Sequence, residues 1–361
     1  MKSEINGKIF ISAGDLSGDI HAASLLHEIK ALSPSCKISA LGGENLKLAA
    51  DNFILDIVHI NGFGFLPIKQ IFFLRKVLKN LKSSFKQSKP DKIILVDYFG
   101  FHIQVARLAK KMGIPVYYFV SPQVWASRSG RISKLAKVIK KMFVIFPFEE
   151  KLYKDKGVNA VFVGNPLTDK FSPKESFDIS KPPVIGLFAG SRKEHIKRHL
   201  PILLETAKIL KDKLNANFIL FSAGETVKKS LPEYIKQVVN GDMALRKSID
   251  FAVSPSGTVC LENALMGIPM AVYYKLSLFN YLVIKMIIKV NYIAIINILS
   301  GREVVPEFIQ FNAKPKKIAE YAAQMLVSQN YKQKVDELLK IRTVLALGKT
   351  YKRVAEAVLN G

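Results

Sequence analysis

Cysteine is almost missing from this chain: Cys36 and Cys260 are the only two among 361 residues. A disulfide framework is excluded, and neither residue stands in a Cys-x-x-Cys or metal-ligand spacing, so reduced thiols in a cytosolic protein are expected. The six histidines (His21, His27, His59, His102, His195, His199) are scattered, and no metal site is read. Long apolar runs are also absent. The most apolar stretch, 279–299, is broken by Lys285 and Lys289 into pieces far short of the ~20 residues a membrane span needs. That i, i+4 lysine pair faces headgroups or a substrate, or solvates a core helix; the sequence leaves these open. Met1–Asn6 shows no signal-peptide apolar region.

Acidic residues are the scarcest charged class, 29 against 54 Lys and Arg, for a formal net charge of +25. Three partners fit such a surplus: nucleic acid, an anionic membrane, or a phosphorylated substrate. A lysine-rich composition accounts for part of it. With no RNP, helix-turn-helix or zinc-finger pattern, nucleic acid ranks last and is not expected as a partner.

What is present is an alternation of short apolar runs with helical stretches. The runs are Ile9–Ser12, Ile38–Leu41, Ile93–Val96, Val116–Val120, Phe143–Ile145 and Val161–Val163, then Val184–Phe188, Phe218–Phe221, Phe251–Val253 and Met270–Tyr274. Most are continuous and β-branched or aromatic, as strands buried on both faces are. Right-handed crossovers turn them into two doubly wound parallel sheets, an α/β fold of two Rossmann-like domains facing across a cleft. The expected division is residues 1–172 and 183–347, joined by a linker at 169–183 rich in Ser, Lys and Pro.

Two Gly-rich corners, Ala13-Gly14-Asp15-Leu16-Ser17-Gly18-Asp19 and Gly190-Ser191-Arg192, each stand between a strand and a helix. Backbone N–H groups at such a helix start can hold an anion. A third feature is an amphipathic helix. Ile71, Leu74, Leu78, Leu81 and Phe85 form one apolar stripe, with Arg75, Lys79, Lys82 and Lys86 on an adjacent face. Phe72 and Phe73 fall off the stripe, so Phe72, Phe73, Arg75, Lys76, Lys79 and Lys82 are expected to meet anionic lipid. The alternative packs the two phenylalanines under the Phe63–Leu66 loop.

The strings SPQVWA (121–126), SPSGTVCLE (254–262) and NILSGREVVPE (297–307), with AGDLSGD (13–19), LVDYFGFH (95–102), GNPLTD (164–169) and LFAGSRKE (187–194), run in order over almost the whole chain. This set resembles the lipid-A-disaccharide synthases, glycosyltransferases of the two-Rossmann-domain (GT-B) type. The resemblance implies inverting transfer of 2,3-diacylglucosamine from UDP-2,3-diacylglucosamine to the 6-hydroxyl of 2,3-diacylglucosamine 1-phosphate, releasing UDP. It also implies a place on the cytoplasmic, anionic face of the inner membrane and no cofactor. It further suggests that the C-terminal helix, about 348–361, crosses back to the first domain. A homodimer is left open.

Inverting transfer needs a base for the acceptor hydroxyl. Asp97 closes a strand, where ligands bind in such sheets, and matches the first aspartate of the family's Asp-x-x-(Asp/Gly)-Phe-Asn string. Asp19 is the rival carboxylate. Departing UDP needs positive charge, and Arg192, after Gly190 and Ser191, can grip two phosphate oxygens. Ser256, Gly257 and Thr258 form the other half of the cradle, and Glu262 is expected to accept the ribose hydroxyls by resemblance to other GT-B enzymes. Gly14, Asp15, Ser17, Gly18, Asn297, Arg302, Glu303 and Gln310 are assigned to the acceptor side or cleft wall. Trp125 stacks on sugar, lines an acyl path, or sits in the core.

The chain departs from the family pattern at Asp15 (usually Glu), His102 (usually Asn), Asn165 (usually His) and Gly42-Gly43-Glu44-Asn45-Leu46 (usually Gly-Gly-Pro-x-Met). Rival readings are another UDP-sugar GT-B enzyme, such as a glycolipid N-acetylglucosaminyltransferase or an epimerase, and a non-catalytic UDP-sugar or lipid-binding membrane protein. No histidine–carboxylate set for an epimerase is seen, and Asp97, Arg192 and Glu262 together argue against mere binding.

Overall fold

The computed structural model describes residues 7–59, 67–122, 130, 132–190, 193–222, 231–239, 242–278, 281, 291–327 and 329–361, with backbone alone for 67–70, 193 and 194. The chain divides into two compact units, Met1–Pro166 with Leu347–Gly361, and Leu167–Ala346.

The first unit runs β1 (Lys8–Ala13), α1 (Leu16–Leu32), β2 (Lys37–Gly42), α2 (Glu44–Ala49), β3 (Asn52–Asp56), α3 (Pro67–Gln87), β4 (Lys92–Val96), α4 (Phe99–Lys111), β5 (Val116–Phe119), α5 (Ile132–Ala136), β6 (Lys141–Val144), α6 (Pro147–Lys154) and β7 (Ala160–Phe162). Its strands are all parallel, in the order β3-β2-β1-β4-β5-β6-β7. Strand β4 explains why an unbroken apolar run forms here. Ile93 and Leu95 face one buried cluster, while Ile94 and Val96 face the other, so both faces of the strand are covered.

The second unit begins with α7 (Leu167–Lys170) and continues β8 (Val184–Phe188), α8 (Lys193–Leu214), β9 (Asn217–Ser222), β10 (Ile235–Val239), α9 (Met243–Lys247), β11 (Phe251–Pro255), α10 (Thr258–Leu265), β12 (Met270–Tyr274), α11 (Ile295–Ser300), β13 (Glu307–Ile309), α12 (Pro315–Val327) and α13 (Tyr331–Leu345). The order is β10-β9-β8-β11-β12-β13, again parallel. Both sheets therefore reverse direction beside their first strand, between β1 and β4 and between β8 and β11. Such a switch point opens a crevice at the strands' carboxyl ends.

Three strands lie outside the expected runs: β3, β10 and β13. Each lies at a sheet edge, where exposed and half-buried positions dilute the pattern. The stretch 169–183 also differs from a bare linker. Phe171 is buried, Phe177 and Ile179 pack on the second unit's core, and Lys174 approaches Asp250 at 3.6 Å. Its apolar residues draw it onto that unit.

The last helix, α14 (Thr350–Leu359), belongs to the first unit. Val354, Ala355 and Val358 join the cluster under α1. Lys92 Nζ donates to the carbonyls of Val358 (2.7 Å) and Leu359 (2.8 Å), and Lys140 Nζ to that of Gly361 (2.6 Å).

The α3 helix is turned from the expected setting. Val77, Leu81 and Phe85 are buried, and Phe73, Leu74 and Leu78 pack on the same core, while Ile71 is 51% exposed. The buried line runs 73–77–81–85 in four-residue steps, which removes Phe73 from any lipid-facing set. Phe72 stays out, 64% exposed, with the Arg75 guanidinium 5.9 Å from its ring. Arg75, Lys76, Lys79 and Lys82 are exposed. No helix among the described residues is long and apolar enough to cross a membrane.

Candidate active site

Strands β1 and β4 lie side by side with Ala13 opposite Val96, so the residues just beyond them converge. Asp15 caps α1, its Oδ1 accepting the Gly18 N–H at 2.7 Å. The corner read as an anion holder thus already carries a carboxylate at the helix N-terminus, which satisfies a free N–H and repels a second anion. Gly14 serves close packing, since a Cβ there would stand 2.1 Å from the Tyr98 ring. Ser17 is exposed and Gly18 is buried.

Asp97 and Tyr98 follow β4 with left-handed φ of 52° and 48°, a region that residues with side chains seldom enter. The Tyr98 N–H donates to Asp97 Oδ1 at 2.8 Å. Burial, and then the Asp15 charge, push the Asp97 carboxyl up to about 6 against that bond. A carboxylate so tuned is ionised at neutral pH yet basic enough to take a proton.

His102 is fully buried and bridges two strand ends. Its Nδ1 meets the Asp97 carbonyl at 2.8 Å and its Nε2 meets the Ser12 hydroxyl at 3.0 Å. A carbonyl only accepts, so Nδ1 carries the proton and Nε2 accepts from Ser12. Burial holds its pKa down to about 4, so the ring is neutral. Tyr118, from β5, donates its hydroxyl to the same Asp97 carbonyl.

Asp19 is corrected from rival base to structural cap. Wholly buried, it accepts from the N–H of Gly43 (2.7 Å), Asn45 (2.9 Å) and Leu46 (3.4 Å) and from Asn45 Nδ2 (2.9 Å). A carboxylate saturated with donors at the start of α2 has no free lone pair for a substrate proton. The altered string 42–46 fits this cap: a Cβ at Gly43 would lie 2.8 Å from Asp19 Oδ2. Asn165 is buried and donates to the Ile145 carbonyl at 3.3 Å. In the SPQVWA block, the Ser121 hydroxyl donates to buried Glu149 at 2.7 Å. Trp125 lies outside the described residues.

In the second unit, β8 and β11 are neighbours, and both expected corners follow them. Gly190 adopts φ 96°, a value open to glycine; Ser191 and Arg192 lie outside the described residues, as do Lys285 and Lys289. After β11, the Ser256 hydroxyl is committed to the Ile293 carbonyl at 2.8 Å. Gly257, φ 150°, and Thr258 are exposed, and no described side chain caps α10. Its first N–H groups are therefore open to an anion.

Glu262, expected to accept the ribose hydroxyls, already has a partner. Its Oε2 accepts from Arg246 Nη1 at 2.5 Å, and Arg246 Nη2 donates to Asn263 Oδ1 at 2.9 Å. The guanidinium is buried, 5.2 Å from the Phe171 ring centre and 5.4 Å from that of Phe188. Oε1 of Glu262 takes no hydrogen bond from a described residue, so one oxygen remains to accept. Arg246 sits in a five-residue helix with no motif to announce it.

In and just after the NILSGREVVPE block, Asn297, Gln310 and Arg302, expected at the cleft wall, are bonded within their own unit. Buried Asn297 accepts from the N–H of Val304 (2.8 Å) and Val305 (3.0 Å) and donates to the Val305 carbonyl (2.8 Å) and Glu307 Oε1 (2.9 Å). Glu307, absent from the expected set, also holds the backbone that leads into α11 by accepting from the N–H of Ile293 and Ala294 at 2.9 Å. Gln310 clasps the Leu276 backbone, accepting its N–H at 3.0 Å and donating to its carbonyl at 3.2 Å. Arg302 pairs with Glu337 on the surface at 3.0 Å, and Glu303 is exposed. Asn297 and Gln310 spend their polar atoms holding the backbone in place.

Two Rossmann-type sheets, each with polar groups gathered at its switch point, define the GT-B class. A putative UDP-N-acetylglucosamine 2-epimerase from Listeria monocytogenes shares the fold, with TM-score 0.68 and 11% identity over 99% of this chain and 96% of that one. So does the glycosyltransferase of kitacinnamycin, at TM-score 0.67 and 14% identity over 98% of both chains. The sequence profile of the lipid-A-disaccharide synthetases matches residues 9–359. A lipid-A-disaccharide synthase from Geobacter metallireducens is 36% identical over 98% of this chain and 97% of its own length. The chain belongs to the lipid-A-disaccharide synthetase family. It is a hexosyltransferase of lipid A biosynthesis, and the epimerase and pure binding-protein readings fall away.

Proposed function

We propose that this chain moves 2,3-diacylglucosamine from UDP to the 6-hydroxyl of 2,3-diacylglucosamine 1-phosphate, with inversion. The observation that carries the chemistry is the Asp97 carboxylate at the end of β4, one oxygen held by the Tyr98 N–H at 2.8 Å and its pKa raised to about 6 by burial and the Asp15 charge. As the O6–C1 bond forms and the C1–O bond to UDP breaks, Asp97 takes the hydroxyl proton. Arg192 and the uncapped start of α10 (Gly257, Thr258) receive the charge left on UDP. Glu262 Oε1 accepts from the ribose, while Gly14, Asp15, Ser17 and Gly18 line the acceptor side. The test is UDP release in mixed micelles. Release that requires both acylated sugars is expected; release without the acceptor, or epimerised UDP-sugar, would sink this reading.

The same reading gives α3 a role at an anionic membrane surface. Between residues 57 and 148 there are seventeen Lys and Arg but only two acids, Asp91 and Asp97, so the positive surplus is concentrated rather than uniform. A groove of about 1120 Å³ beside α3 has Arg75, Lys79, Lys82 and Lys86 on one wall and Arg107 and Lys111 on the other. Phe72 stands exposed on the same helix. Co-sedimentation with vesicles containing anionic lipid should weaken about tenfold in Phe72→Ser and in the Lys79→Glu/Lys82→Glu pair. Binding that ignores both changes, or that persists on neutral vesicles, would remove α3 from the contact.

A further inference from the structure

We propose that His102, with Tyr118, is a positioning residue that aims the Asp97 carboxylate, an inference that rests on the reading of Asp97 as base. The argument turns on one peptide plane. The Asp97 carbonyl and the Tyr98 N–H belong to the same rigid unit. The carbonyl end takes two donors, His102 Nδ1 at 2.8 Å and the Tyr118 hydroxyl. The N–H end donates to Asp97 Oδ1 at 2.8 Å. Fixing the carbonyl therefore fixes the N–H, and the N–H fixes Oδ1, leaving Oδ2 as the oxygen that receives the proton.

The backbone here needs such a clamp. Asp97 and Tyr98 are consecutive side-chain-bearing residues with left-handed φ, a conformation that persists only where surroundings over-determine it. The surroundings come from three strands. Ser12, next to last in β1, bonds His102 Nε2 at 3.0 Å, Asp97 follows β4, and Tyr118 lies on β5. The His102 ring also lies against Tyr98 (5.7 Å between centres), Phe101 (6.0 Å) and Tyr118 (6.3 Å), which prevents it from turning away. The clamp requires one donor toward the carbonyl and one acceptor toward the Ser12 hydroxyl. An asparagine keeps the donor toward the carbonyl, since its Nδ2 can stand where the ring holds Nδ1; an alanine supplies neither group.

The experiment compares wild type with His102→Asn, His102→Ala, Tyr118→Phe and Asp97→Asn, measuring kcat, donor KM, the pH–rate profile and Tm. His102→Ala should lower kcat about 100-fold with donor KM within about twofold, because a displaced base costs rate rather than binding. Its acid limb should move below pH 6, as the released carboxylate reaches solvent. His102→Asn should keep kcat within about threefold, and Tyr118→Phe should lower it about tenfold by removing one donor. Unchanged kcat in His102→Ala, or equal loss in the alanine and asparagine variants, overturns the clamp. If His102→Ala does not fold, unchanged kcat in Tyr118→Phe overturns it. An active Asp97→Asn overturns the base instead, so the two failures are distinct.

Discussion

Asp97→Asn should lower turnover about a thousandfold and leave UDP binding unchanged, since a positioned general base contributes about 10²–10⁴ in rate. Asparagine keeps the shape and can still accept the Tyr98 N–H, but it cannot take a proton at neutral pH. Wild-type rate should follow the ionised fraction. With the carboxyl at about 6, activity at pH 5 should be about a tenth of its plateau above pH 7. The same substitution carries a stability signature of opposite sign. Because the folded-state value lies above the ordinary 3.8, the folded form binds this proton more tightly than the unfolded chain does. Stability from Asp97 is complete below about pH 4 and is lost as pH rises through about 6. Asparagine escapes that loss, so the inactive variant should be more stable at pH 7.5, by of the order of 2 kcal/mol. Urea titrations at pH 4 and pH 7.5 read it directly. A variant that is dead and also unstable would mean that Asp97 is structural.

Arg246→Ala should be the most disruptive change in the second unit, costing about 3 kcal/mol, because it leaves a partly buried carboxylate unpaired and empties the buried place between Phe171 and Phe188. Glu262 then has no fixed orientation, and UDP affinity should fall with stability. A paired change separates the two effects. Arg246→Met with Glu262→Gln removes both charges together, and much of the stability should return while UDP affinity stays low. Denaturant titration and UDP calorimetry on the three proteins make the comparison. Should the double variant bind UDP like wild type, Glu262 has no place in the donor site.

The two sheets were legible because their central strands are buried on both faces. Ile93–Val96 needs no neighbour to be read as a strand. The position of Asp97 was legible for the same reason: a carboxylate directly after such a run stands at the carboxyl edge. What escaped depends on distance along the chain. Asp19 looked like a site residue because its partners, Gly43 and Asn45, lie more than twenty residues away. Asn297 stood in, and Gln310 just after, a string characteristic of the family, yet their polar atoms hold loops. Arg246 meets Glu262, Asn263, Phe171 and Phe188 only in the folded unit. His102 showed as a substitution, and its meaning became visible once Ser12 and the Asp97 carbonyl were seen on its two nitrogens.

The path of α14 bears on how the protein is made. Residues 167–346 form a unit of their own, whereas the cluster beneath α1 is closed by Val354, Ala355 and Val358. The segment synthesised first is thus the one finished last. While the ribosome works through the inserted unit, the apolar underside of α1 waits for its cover, in a chain whose earlier domains would ordinarily mature first. Lys92 and Lys140 then latch the arriving tail through the carbonyls of Val358, Leu359 and Gly361, so the second unit can be complete before the unit carrying Asp97 becomes whole.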